Sequence, residues 1–186
     1  MFSLDKVANR RNTENMNTNG PTRANRAFGP DVRRTIHLID IENLVGSGLP
    51  ATEDVHATQL SLQRLLPVRS GDLVVIGAGP LALMPAYRGW AGARYVLRAG
   101  PDGADLALLA VINDEDIAGR FTAVTIASGD GIFTDAAVEM ASRGCRVTVA
   151  SRKESLSRRL RLAAHTVRYL PCYEPGIAAL DHRSAA

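Results

Sequence analysis

Four acidic or amide side chains stand where β-rich runs end or helices begin: Asp40 and Asn43 in HLIDIENL, Asp105 in PDGADLAL, and Asp130 in TIASGDGIF. Open α/β sheets gather their ligands at the carboxyl ends of their strands. A sheet that sets these segments side by side would therefore bring three carboxylates together. Neighbouring carboxylates raise one another's pKa unless a cation or a shared proton neutralises them. A hard ion held by oxygens, Mg²⁺ or Mn²⁺, is the expected occupant.

Each segment also has a structural reading. Asp40 ends TIHLID and Asn43 follows within one turn. The pair suits a metal ligand with a polar neighbour that orients it, and equally a cap and turn ahead of GSGLP. Asp102 and Asp105 suit an N-cap followed by an acidic first turn, both favoured by unpaired N–H groups and the helix dipole. The functional reading of Asp105 comes from its place on the same edge as Asp40. The most specific segment is SGDGIF, in which Ser128 and two glycines allow a tight backbone around Asp130; a purely structural turn would accept Ser or Asn there.

These residues need elements to position them. Apolar β-rich runs cover 35–40, 72–77, 94–98, 123–127, 146–150 and 166–170, and helical patterns lie at about 53–66, 80–90, 103–118, 131–143 and 154–164. Continuous apolar runs such as LVVIGA, AVTIA and VTVA are what a parallel sheet covered on both faces requires. Thr52 reads as a helix cap, and Ser151 with Glu154 as a capping box before SLSRRLRLAAH. The alternation predicts an α/β fold, a Rossmann-like three-layer sandwich around a mostly parallel sheet.

The chain has 186 residues, 46% of them hydrophobic, which suits one self-supporting domain. The expected organisation is a disordered basic arm over 1–33, the domain over 34–170 and a loose tail over 171–186. Cys145 and Cys172 fit neither a metal spacing nor a disulfide framework. No apolar run reaches the roughly 18 residues of a membrane helix, and the polar start lacks the apolar middle of a signal peptide. A soluble, cytoplasmic protein with no membrane partner is expected; homo-oligomerisation stays open.

Charge is unevenly placed. The net charge is +3, yet residues 1–34 carry +4 and the remainder −1. Between Arg143 and Arg168 eight basic residues face only Glu154, whereas 102–139 holds eight acids and one Arg. A cation site beside a basic surface suits binding a polyanion and acting on it. Arg152, Lys153, Arg158, Arg159 and Arg161 are the residues expected to guide it, although Arg-rich helix faces are commonly just solvated.

In combination and order, D-x-E-N at the first strand end, G-x-D at a mid-chain helix start and S-G-D-G-x-F before a helix and an R-V-T-V strand resemble the NYN domain, a branch of the PIN-like nuclease superfamily. The resemblance covers about residues 35–170. It implies a Mg²⁺ or Mn²⁺ site and metal-dependent cleavage of RNA, with Asp40, Asp105 and Asp130 as metal-binding carboxylates and Asn43 as their polar companion. The family often carries a second Asp two residues after the first in the last motif, where this chain has Ile132. Asp102 and Asp135 are candidates to compensate, with Ser128 as a further polar neighbour.

Two rival readings remain. LVVIGAGPLA is a G-x-G-x-x-A run after a strand, and Arg98 lies about twenty residues on, where a partner for the 2′-phosphate of NADP would sit. Against it, no acidic ribose partner follows, and Pro80 and Pro85 crowd the next helix. The second rival keeps the fold and drops the chemistry: a module that holds RNA or a protein partner without cutting.

Overall fold

The computed structural model describes residues 34–171. The basic arm expected over 1–33, and all but the first residue of the expected tail, lie outside the described residues. Six strands, β1 (Thr35–Asp40), β2 (Leu73–Ala78), β3 (Arg94–Leu97), β4 (Ala123–Ala127), β5 (Arg146–Ser151) and β6 (Thr166–Tyr169), form one sheet. Its order is β3-β2-β1-β4-β5-β6 and every pairing is parallel. Central β1 sets Ile39 opposite Ile76 of β2 and Ala127 of β4. The chain winds outward in both directions from β1 and β4, so the crevice at their carboxyl ends is the topological switch point of the sheet.

Among the described residues seven helices connect the strands: α1 (Ile41–Val45), α2 (Thr52–Leu65), α3 (Leu83–Gly89), α4 (Gly103–Asp114), α5 (Ile117–Arg120), α6 (Thr134–Ser142) and α7 (Arg158–Ala163). Successive strand residues point to opposite faces, and the cores follow that alternation. Ile36 and Leu38 of β1, with Val124, Ile126, Val147 and Val149, pack against α4, α5, α6 and α7 through Leu108, Ile117, Met140 and Leu160. Ile39, Val74 and Ile76 pack on the other face against α1, α2 and α3 through Leu44, Val55, Leu62 and Ala86. The result is the expected α/β three-layer, Rossmann-like sandwich, with an entirely parallel sheet. Among the described residues, no helix is long and apolar enough to cross a membrane.

Local signals erred where loops compete with helices. Five residues after Asp40 form α1 instead of an open turn, closed by Gly46 in a left-handed conformation at φ 81°. Ser151 is the last residue of β5, and the helix starts only at Arg158. The expected capping box is absent because Ser151 Oγ donates to the Arg152 carbonyl and pairs with Ser155 Oγ at 3.2 Å, which holds a turn instead. Ala51, not Thr52, occupies the cap of α2, its N–H donating to Asp54 Oδ2 at 3.3 Å. The helix expected over 103–118 breaks at Asp116, whose φ of 44° is left-handed. That over 131–143 opens with a 3-10 turn, Gly131–Phe133.

Candidate functional site

Asp40, Asn43, Asp102, Asp105 and Asp130 line one cleft at the carboxyl edge of the sheet, together with Glu42 and the loop Gly46–Gly48. Asp40 is carried there by the end of β1 and is buried. Its Oδ1 accepts the Asn43 N–H at 3.1 Å, capping α1, while Oδ2 accepts the Ser128 hydroxyl at 2.8 Å. The capping and cleft-lining readings of Asp40 therefore both hold. The Asn43 side-chain oxygen accepts the Gly129 N–H at 2.9 Å. Asp40 and Asn43 thus tie the loop after β1 to the loop after β4, with Ser128 as the link the sequence marked only as auxiliary.

Asp105 enters from the first turn of α4 and is only 8% exposed. Asp102 sits at the N-cap position but makes no side-chain cap bond; its left-handed backbone, φ 52°, turns the chain into the helix. Asp105 Oδ1 is buried and has no hydrogen-bond partner among the described residues. Burial, then the charge of Asp40 and a hydrogen bond to it, then Asp130 and Asp102, push the Asp105 carboxyl up to about 8. Burial likewise raises Asp40, opposed by its hydrogen bonds from Ser128 and Asn43. Of the two, Asp105 is the carboxyl that the surroundings push furthest toward its protonated form.

Asp130 stands farther out. It is exposed, and its Oδ1 accepts the Ile132 N–H at 2.9 Å, which caps the 3-10 turn. Its N–H is held by Ser128 Oγ at 3.1 Å. Among the described residues, no three His, Cys, Asp or Glu side chains converge closely enough to hold one metal ion. The convergent feature is a pair, Asp40 with Asp105, with Asp130 and Asp102 adding negative field.

The candidate set omitted Glu42. Its Oε1 accepts the Gly79 N–H at 3.2 Å, and burial, with the Asp40 charge, raises its pKa. An acid two residues past a strand-end Asp, in the first turn of a helix, was the available signal. The same contact explains the glycines after β2. A Cβ on Gly79 would come 2.8 Å from Glu42 Oε1, and one on Gly77 would come 2.7 Å from both the Ala104 carbonyl oxygen and Leu108 Cγ. Both glycines serve close approach inside the fold, and Arg98 is an exposed residue beyond β3.

Asp135 lies outside the cleft. It projects from α6 with its side chain 93% exposed and pairs with Arg159 at 3.6 Å, so it does not compensate for Ile132. Ile132 packs partly buried against the core. The basic segment runs alongside: the Ser157 N–H donates to the Gly129 carbonyl at 2.8 Å, seating loop 152–157 against the SGDG turn. Lys153, Arg158, Arg159 and Arg161 are exposed. Arg152 differs, because its guanidinium packs on Gly46 of the cleft wall and its Nε is buried without a partner.

No family model matches the chain, and no curated protein is significantly similar to it. A solved structure that it resembles is the crystal structure of a protein of unknown function from Vibrio parahaemolyticus, at 15% identity and a TM-score of 0.54, covering 77% of this chain and 97% of that one. At that identity the likeness supports the α/β fold alone.

Proposed function

We propose that the cleft takes a divalent cation, Mg²⁺ or Mn²⁺, and that the chain is a metal-dependent ribonuclease hydrolysing RNA phosphodiester bonds. The observation that carries the reading is the buried, unpartnered Oδ1 of Asp105 beside the equally buried Asp40. A buried polar atom without a partner costs about 1–3 kcal/mol, and a cation removes both that cost and the repulsion within the pair. The donor set is all oxygen and small in number. This fits Mg²⁺, which uses one or two carboxylates and completes its shell with water and substrate phosphates. Such an ion supplies acidity to a water nucleophile and neutralises charge developing on the phosphate oxygens.

The chain's own residues would do the rest. Asp40 and Asp105 would hold the ion, with Ser128 and Asn43 fixing Asp40 and the loop beside it. Asp130, already engaged by Ile132, would act at longer range. The exposed basic residues of 152–161 flank the SGDG turn, where a polyanion would be drawn toward an otherwise negative cleft. The test is a cleavage assay on single-stranded and structured RNA with Mn²⁺, Mg²⁺ or chelator, run beside Asp40→Asn. Metal-dependent cleavage lost in the variant supports the reading; equal cleavage by both proteins overturns it.

One observation favours a second reading, a module that binds RNA without cutting it. Neither Ile132 nor Asp135 supplies the cleft with another carboxylate. Metal-strengthened binding of RNA without turnover would select it.

A further inference from the structure

The cleft has two chemically different walls. Four aspartates form one. The other is the loop Gly46-Ser47-Gly48, backed by Arg152, and it presents hydrogen-bond donors. Ser47 Oγ accepts the Leu49 N–H at 3.1 Å, which leaves the hydroxyl proton to be donated elsewhere. The Gly48 N–H has no hydrogen bond among the described residues.

Arg152 is built into this wall. The conformation of Gly46, φ 81°, disfavours residues with a side chain, and the space a Cβ would take lies 2.6 Å from Arg152 Nη1. The guanidinium therefore lies flat on the loop. Among the described residues its Nε is buried without a partner, and its ion pair is with Glu154, 3.7 Å away and itself 60% exposed. Among the described residues, no side-chain hydrogen bond of Arg152 accounts for its placement. A planar group with five N–H donors, held by packing and, among the described residues, engaged only by the exposed Glu154 at 3.7 Å, is arranged to receive an oxyanion with two oxygens side by side.

We infer that Arg152 and the Gly46–Gly48 loop form a phosphate subsite at the mouth of the cleft, taking a phosphodiester of the bound RNA strand opposite the carboxylates. The assignment rests on the reading of the cleft as an RNA-cleaving site, and it gives Arg152 a role that Lys153, Arg158, Arg159 and Arg161 do not share. Those four supply diffuse attraction from an exposed surface. Arg152 fixes where the backbone crosses the cleft and sets the preference for a phosphate there.

The experiment measures binding, not turnover. Labelled single-stranded RNA is titrated by fluorescence anisotropy in Ca²⁺, against wild type, Arg152→Ala, Arg152→Lys, Ser47→Ala and, as a control for charge alone, Arg69→Ala in the turn before β2 at the opposite edge of the sheet. Arg152→Ala should weaken binding about tenfold or more, Arg152→Lys should recover part of the loss because charge returns without the fork, and Arg69→Ala should change it less than about twofold. Equal losses for Arg152→Ala and Arg69→Ala, or wild-type binding by Arg152→Ala, overturn the subsite. Thermal melts accompany each variant. If Arg152→Ala melts early, Ser47→Ala on the exposed loop decides, with a loss of about threefold or more expected and wild-type binding counting against the subsite.

A second probe separates this inference from the reading beneath it. Inorganic phosphate, followed by ³¹P line broadening, should bind wild type and not Arg152→Ala. Arg152-dependent phosphate binding by a protein that ignores RNA removes the ribonuclease and keeps the subsite. Binding of neither probe removes both.

Discussion

Asp40 and Asp105, 65 residues apart in the chain, share one buried corner of the cleft, where Asp40 raises the proton affinity of Asp105 while the hydrogen bond from Asp105 lowers that of Asp40. The end of β1 brings one and the first turn of α4 the other. Asp40 is held by the Asn43 N–H and the Ser128 hydroxyl, whereas Asp105 Oδ1 has no partner among the described residues.

That pairing makes stability fall with rising pH. A carboxyl raised from 3.8 unfolded to about 8 folded contributes stability that is complete below 3.8 and is lost as pH climbs through about 8. In chelator, Asp105→Asn, which can still donate toward Asp40, should flatten this slope. It should match wild type near pH 4 and exceed it at pH 9 by on the order of 1 kcal/mol, or roughly 2–4 °C in Tm. Melting curves across that range check it; parallel curves for the two proteins would remove the buried-pair electrostatics.

The carboxylates should not be equal. Asp40→Asn and Asp105→Asn should each reduce Mn²⁺-dependent RNA cleavage by about a hundredfold or more, because each removes half of the convergent pair. Asp130→Asn should cost less, about tenfold, since its carboxylate is exposed and engaged with Ile132. Rates under one set of metal concentrations give the ranking, and an Asp130 effect as large as that of Asp40 would show a cleft that rearranges around its ion.

Gly77→Ala tests how packing reaches the site. The added methyl meets the Ala104 carbonyl and Leu108, so α4 must shift, and Asp105 is the next residue along it. Overpacking of this kind costs about 1–3 kcal/mol. Urea unfolding should report that loss, and Mn²⁺ stabilisation of the variant should be weaker than that of wild type. Gly79→Ala first meets the carboxylate end of the Glu42 side chain, which can swing aside more readily than backbone, and should be the milder change.

His37 predicts the opposite pH slope from the other edge of the sheet. Burial holds its imidazole below the ordinary 6.5, with Asp72 at 3.6 Å opposing. A His lowered on folding contributes stability that is present above 6.5 and is lost as pH falls below it. His37→Asn should therefore show a smaller drop in Tm between pH 7 and pH 5 than wild type; an unchanged drop would assign that slope to other groups.

Several features were legible before folding. Strand positions were readable because fully buried parallel strands leave continuous apolar runs, and Asp40, Asp105 and Asp130 were readable because each ends a strand or opens a helix. Glu42 was missed because its role depends on Gly79, 37 residues away, whose N–H it accepts. The role of Asp135 stayed open for a related reason: only the fold shows that, one helical turn past Ile132, it faces Arg159 and solvent. The false capping box at Ser151 shows a local motif losing to a tertiary contact, the seating of loop 152–157 on Gly129.

The amino-acid sequence alone determined the alternation of elements, the parallel α/β architecture and the presence of acids at the strand ends, because periodicity and strand-end chemistry are local. Only the tertiary structure decided that two of those acids form a buried pair while the third stays at the surface. It alone separated Arg152 from its basic neighbours. Burial and orientation depend on strand order and helix packing, which join residues far apart in the chain.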